Sequence, residues 1–112
     1  MPLRELARTR WQEYFDGVSK ALGAQRVTVE VTGLGLGDQI AANRIALTGL
    51  TYDPHDDALT VFAEGLQHRI RQPRAVHIDH DVEWLHSVEA VDGEGNHHII
   101  QLSEPLSLPG KA

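Results

Sequence analysis

TGLTYDPHDDALTVFAEGL, residues 48–66, contains a strand, a tight turn and a second strand in unbroken succession. Leu47, Gly49 and Thr51 fall on one face of an extended chain and Thr48, Leu50 and Tyr52 on the other, because strand side chains alternate. After the turn, Leu59, Val61 and Ala63 alternate with Thr60, Phe62 and Glu64, and both halves are rich in the β-branched and aromatic residues that suit a pleated, half-buried surface. Between them Asp53 can accept bonds from nearby amides, Pro54 has its φ preset for the first corner, and Asp56 and Asp57 tolerate turn conformations. Residues 53–57 are therefore expected to form a hairpin loop. No stretch of the chain carries a catalytic or binding signature of comparable clarity, so architecture is what the sequence establishes.

Outward from this hairpin the pattern stays that of a β-rich body. On the N-terminal side, Val27, Val29 and Val31 alternate with Thr28, Glu30 and Thr32, and Gly33-Leu34-Gly35-Leu36-Gly37 follows. The glycine spacing does not match a dinucleotide fingerprint, no Lys-Ser or Lys-Thr pair comes after it, and no amphipathic helix opens there, which favours a connection over a phosphate loop. Residues 38–47 read either as the start of the next strand or as a helical turn. Earlier still, Thr9 and Gln12 have capping-box spacing, and Trp11, Phe15, Val18 and Leu22 recur at helical spacing before Gly23. A helix over 9–22 is expected, preceded by a loose arm over 1–8. Gly17 within it points to close packing or to an imperfect helix.

On the C-terminal side, Leu66, His68 and Ile70 alternate up to Pro73, and Val76, Ile78, His80 and Val82 share a face. Another strand spans 84–91, with Trp84, Val88 and Ala90 expected inward; Asp92-Gly93-Glu94-Gly95-Asn96 is a turn by composition, and 97–102 returns antiparallel. Ile99 and Ile100 are adjacent and must point to opposite faces, so both faces of this strand are apolar. The body thus spans 26–102 and an irregular tail 103–112, all within a single domain. The expected class is α+β: the N-terminal helix packs on a strongly bent, mainly antiparallel sheet or small open β-barrel of about six strands.

The chain of 112 residues is long enough for one compact core without staples. With no cysteine it can form neither disulfides nor thiolate metal sites, which fits a reducing, cytoplasmic setting. No apolar run approaches membrane-spanning length. The net charge of -6 is uneven: residues 1–26 carry five cations against three anions, the remainder five against thirteen. Such a surface argues against nucleic acid as a partner, because that affinity comes largely from neutralising phosphates. His68, Arg69, Arg71 and Arg74 form the one basic cluster beyond the helix; flanking acidic residues and the lack of an aromatic platform make it a solvated edge.

Four motifs, WQEYFD (11–16), GLTYDPHDDALTVFAEGL (49–66), RQPR (71–74) and VEAVDGEGNHHIIQL (88–102), together resemble a family of short bacterial proteins classed as a domain of unknown function. Its members share a Trp-x-x-(Tyr/Phe)-Phe helix, a Tyr-Asp-Pro-x-Asp-Asp hairpin and a Val-Asp-x-x-Gly turn, and the resemblance runs from Trp11 to Leu102. It implies a shared fold and a bacterial, cytoplasmic origin, and brings no catalytic residue, cofactor or substrate with it. The histidines discussed next lie outside the shared pattern.

Seven histidines are many for this length, and His77, Asp79, His80 and Asp81 form the tightest group. On a strand His77 and Asp79 project from one face, a spacing that can offer imidazole nitrogen and carboxylate oxygen to a divalent metal, with His97 or His98 of the last hairpin completing the set. Alternation of polar outside with Val76 and Ile78 inside accounts for the same residues without a metal. Asp53, Asp56 and Asp57 lack the order and the distal Glu of a calcium loop. Ser19, Ser87, Ser103 and Ser107 are in no nucleophile elbow, and Ser87 beside His86 is no dyad, since strand neighbours face opposite ways. Trp84 with His86 suits core packing better than a ligand pocket at the barrel mouth.

The leading expectation is a non-enzymatic module that works through protein contacts, as a homodimer or with another protein, using the face of Val91 and of Ile99 or Ile100. The alternatives are a metal or small-ligand site near His77, Asp79, His97 and His98, and an enzyme of unfamiliar type around Trp84. No cofactor is expected. Protonating all seven histidines would carry the formal charge of -6 through zero to +1; increased light scattering is expected between pH 7.5 and 5.5, given imidazole pKa values of about 6.5.

Overall fold

In the computed structural model, which describes residues 3–33, 35, 37–81 and 83–108, the central hairpin takes the form its residues predict. A strand Gly37–Asp53 (β3) turns through 54–57 into Ala58–Ala63 (β4), with Asp53 opposite Ala58. Asp53 Oδ1 accepts the His55 amide at 2.9 Å, and Asp57 takes the left-handed conformation at φ 52°. Tyr52 donates its hydroxyl to Asp57 Oδ1 at 2.7 Å, locking the turn to its strand.

The other strands, taking Arg4–Glu5 as β1, are Arg26–Gly33 (β2), Leu66–Arg71 (β5), Ala75–Asp81 (β6), Trp84–Val91 (β7) and His97–Ser107 (β8). Among the described residues these eight form one antiparallel sheet in the order β1-β6-β7-β8-β2-β3-β4-β5, open at both ends. Four strand spacings of ~4.8 Å separate β8 from β5 in a flat sheet. Yet His68 of β5 and His98 of β8 are in hydrogen-bond contact, so the sheet folds back on itself. The long strand β3 makes the fold: its first half pairs with β2 and its second half with β4.

The helix Trp11–Ala21 (α1) buries Trp11, Tyr14, Phe15 and Val18 against this curved sheet, meeting chiefly β3. Ser19 Oγ accepts the Leu50 amide at 2.9 Å and donates to the Leu50 carbonyl at 2.7 Å, satisfying the β3 backbone just past the point where β2 stops pairing with it. Trp11 meets Tyr52 edge to face at 5.1 Å, and Arg8 lies over the Trp11 ring while its guanidinium donates to Asp57 and to the Pro73 carbonyl.

Several elements differ from expectation, each for a physical reason. Eight strands replace about six, partly because the segment read as a loose arm contains β1, which pairs with β6 through Arg4 and Glu5. Thr9 is not the N-cap: a 3₁₀ turn over Arg8–Arg10 leads into α1, and Arg10 stands at the cap without a side-chain bond. Nothing approaches a Cβ placed on Gly17, so the imperfect helix is the reading that holds. Residues 38–47 belong wholly to β3; its register against β2 shifts at Ala41 and again near Asn43 and Arg44, and these bulges break the alternation. The tail continues as β8 to Ser107, with Leu106 opposite Leu85 and Pro105 in the irregular stretch between the two paired runs. Trp84 points outward and is 45% exposed: a bulge at His86 flips the parity, so Leu85 enters the core beside Val88 and Ala90. The face shared by Val76, Ile78 and His80 is buried as expected, and Val82 lies outside the described residues.

Candidate functional site

Two features remain when the core is accounted for: the free edge of β3 and a chain of polar groups joining β5 to β8. The first half of β3 pairs with β2 on one side, and its pairing with β4 begins only at Leu47, next to the Ala46 carbonyl that accepts the Glu64 amide at 2.9 Å, so over residues 37–45 no described strand borders its other side. Such an edge presents backbone groups to any extended partner. Ile40 projects there with 58% of its surface exposed, and residues 39–43 carry no charge, while Asp38 and Arg44 stand at either end. Gly33 and Gly37, the outer members of the glycine-rich connection, pair in register across β2 and β3, while Leu34 and Leu36 between them lie outside the described residues. A Cβ on Gly33 would sit 2.0 Å from Asn96 Oδ1, which is why glycine is needed beside the β7–β8 turn.

The second feature begins at that turn. Asp92 Oδ1 accepts the amides of Glu94 and Asn96 at 2.8 and 3.0 Å, and Oδ2 accepts the Asn96 side-chain amide at 3.2 Å and His98 Nε2 at 2.9 Å. Burial alone would raise the Asp92 pKa; the bonds from His98, Asn96 and Glu94 outweigh it and hold the carboxyl at about 2. His98, only 6% exposed, uses its other nitrogen, Nδ1, to bond His68 Nε2 at 2.9 Å. Burial, with His98 as a lesser contributor, pushes the His68 pKa below its usual 6.5. Beside this chain a polar cleft of about 710 Å³ is lined by Arg69, Arg71, Asp92 and Glu94 among others. Of the basic cluster, Arg69 pairs with Asp56 at 3.4 Å, Arg74 donates to the Gly93 carbonyl, and His68 turns inward.

The expected metal residues are distributed over two faces. His77 and Asp79 lie on the outer face of β6 and His97 on the outer face of β8, where its Nδ1 bonds Glu89 at 2.6 Å. His98 faces inward, with both nitrogens engaged as above. Among the described residues no group of three or more His, Asp or Glu stands close enough to hold a metal ion. The expected interface residues also divide: Val91 and Ile99 are half-buried on the outer face, and Ile100 is 1% exposed within the core. Sequence reasoning missed the Asp92–His98–His68 chain. The available signal was parity, since His98 shares a face with Ile100, and His68 with Ile70.

One further imidazole is buried. His80 Nδ1 bonds the Tyr14 hydroxyl at 2.8 Å. Burial raises the Tyr14 pKa despite Arg4 and Arg10, so the phenol stays protonated and can either donate to or accept from the imidazole, according to the His80 tautomer. Burial likewise lowers the His80 pKa, partly offset by the Leu108 backbone.

Comparison with known proteins adds kinship without an activity. The family described as "Family of unknown function (DUF5335)" matches residues 3–111. An uncharacterized protein of Aquifex aeolicus (strain VF5) is 33% identical over 110 residues, covering 97% of this chain and 99% of the relative. No solved structure matches. The chain belongs to the DUF5335 family, whose function is unknown.

Proposed function

We propose that this chain is a non-enzymatic cytoplasmic module that works through protein contacts, and that its contact surface is the free edge of β3, taken up by a second copy of the chain. The observation that carries this reading is the stretch 37–45, unbordered by any described strand on one side and exposing Ile40. Charge supports a second copy as the occupant. Laid antiparallel against itself, the stretch brings Asp38 of each chain toward Arg44 of the other, whereas a parallel arrangement sets like charges together. The bulges at Ala41 and near Arg44 limit how many ladder bonds can form, so the expected dimer is reversible and depends on concentration. The absence of cysteine and the lack of any described helix long and apolar enough to cross a membrane are compatible with the proposed location.

Sedimentation velocity of untagged protein over a range of concentrations tests the reading. A monomer–dimer equilibrium displaced to monomer by Ile40→Asp is the expected result. A monomer at every concentration, or a dimer indifferent to Ile40→Asp, would overturn it.

A further inference from the structure

We propose that His68 and His98 form an acid-sensitive latch, which at neutral pH holds the edge strand β5 against β8 and on acidification releases it. This inference is independent of the interaction reading above. It stands on the geometry of three groups: Asp92 Oδ2 to His98 Nε2 at 2.9 Å, and His98 Nδ1 to His68 Nε2 at 2.9 Å.

That geometry fixes where the hydrogens are. A neutral imidazole has one N–H and one lone pair. The ionised Asp92 can only accept, so the hydrogen of His98 is on Nε2 and its Nδ1 is a lone pair. The bond between the rings must therefore be donated by His68 Nε2–H. One added proton can be accommodated: His98 becomes a cation beside the Asp92 carboxylate, donates through Nδ1, and His68 turns acceptor by carrying its hydrogen on Nδ1. A second proton leaves N–H groups facing each other with no lone pair between them, and two cations in contact. The second proton therefore breaks the bond between the rings.

The surroundings offer little relief. Across the strands, His68 neighbours Val61 of β4, and His98 neighbours Val31 of β2 and Ala90 of β7, all apolar. Arg69 and Arg71 of β5 are exposed and line the cleft instead, Arg69 being paired with Asp56. Asp92 is thus the counter-charge, and its oxygens already accept from Glu94, Asn96 and His98. His98 is too deeply buried to turn its ring to water. Strand β5 is the element with the most freedom to move, because among the described residues β4 is its only strand neighbour. Its other ties are Ile70, buried in the core, the pair of Arg69 with Asp56, and, near its end, the bonds from Gln72 to the Asp57 carbonyl and from Gly93 to the Arg71 carbonyl.

The test is backbone hydrogen exchange at pH 7.5 and 5.5, with rates corrected for the intrinsic pH dependence of exchange. Protection at residues 67–70 is expected to fall by at least about tenfold at the lower pH while β7 and β8 keep theirs. His68→Gln, which retains an N–H for His98 Nδ1 and does not titrate, is expected to abolish the response. Equal protection at both pH values, or a response that persists in His68→Gln, would overturn the latch. Should that variant fail to fold, imidazole nitrogen shifts of the unaltered protein decide: both rings protonated together with loss of β5 protection supports the latch, and both rings protonated with β5 still protected overturns it.

Discussion

Two sheet edges in this molecule are treated in opposite ways. Strand β5 is bordered by one strand, but it carries the exposed cations Arg69 and Arg71, is tied to the β7–β8 turn through the Gly93 amide, and is pinned from beneath by His68 on His98. Among the described residues the first half of β3 also has one strand neighbour, yet it has an uncharged centre, an exposed Ile40 and two bulges to blunt it. Charges and covering contacts are how a sheet edge is kept from pairing with another chain. The difference teaches that β5 is closed by contacts within the fold, while no described strand closes 37–45, the stretch proposed as the contact surface.

The comparison is broken most strongly at the latch. His98→Ala removes the acceptor of His68 and one donor to Asp92 in a buried site, and a loss of about 2 kcal/mol in urea unfolding is expected. A change within error would mean that the imidazole contact contributes nothing to holding β5. Next in size is Ser19→Ala, which strips the Leu50 amide and carbonyl of their partner on the second half of β3. About 1 kcal/mol is expected, with faster amide exchange at Leu50. Smallest for the isolated chain is Ile40→Asp, expected to leave unfolding unchanged within about 0.5 kcal/mol because the residue is exposed. A large destabilisation there would show that Ile40 supports the fold and is not held out for a partner.

Acid should separate the same two edges. Because the folded-state pKa of His68 lies below its unfolded value of 6.5, the unfolded chain binds the proton more readily. This contribution to stability is complete above about 6.5 and is lost as pH falls through that value toward the folded pKa. Asp92, held at about 2 against an ordinary 3.8, adds stability that persists above 3.8 and disappears between the two values. Urea midpoints measured from pH 7.5 to 3 should therefore fall in two stages, the first missing in His68→Gln.

Much of this fold was legible in the residues, and what was not has a common cause. The Asp-Pro-His-Asp-Asp turn and the Asp92 turn have unambiguous chemistry, and the valines of β2 and the Trp11, Phe15, Val18 spacing of α1 declare their periods. Trp84 was misplaced because the bulge at His86 flips parity, and residues 38–47 were ambiguous because the bulges in β3 do the same. A two-residue strand such as β1 has no period to detect. The latch was hidden for another reason. Alternation shows that His68 and His98 point inward, but not that a folded-over sheet sets strands 30 residues apart face to face.

The most direct test of the free-edge account is native mass spectrometry of untagged protein, with added zinc and after chelation, beside Ile40→Asp. The account predicts a metal-independent dimer that Ile40→Asp reduces to monomer. A monomer holding one zinc per chain, lost when His77 is changed to alanine, would contradict it and move the functional site to the outer face of β6.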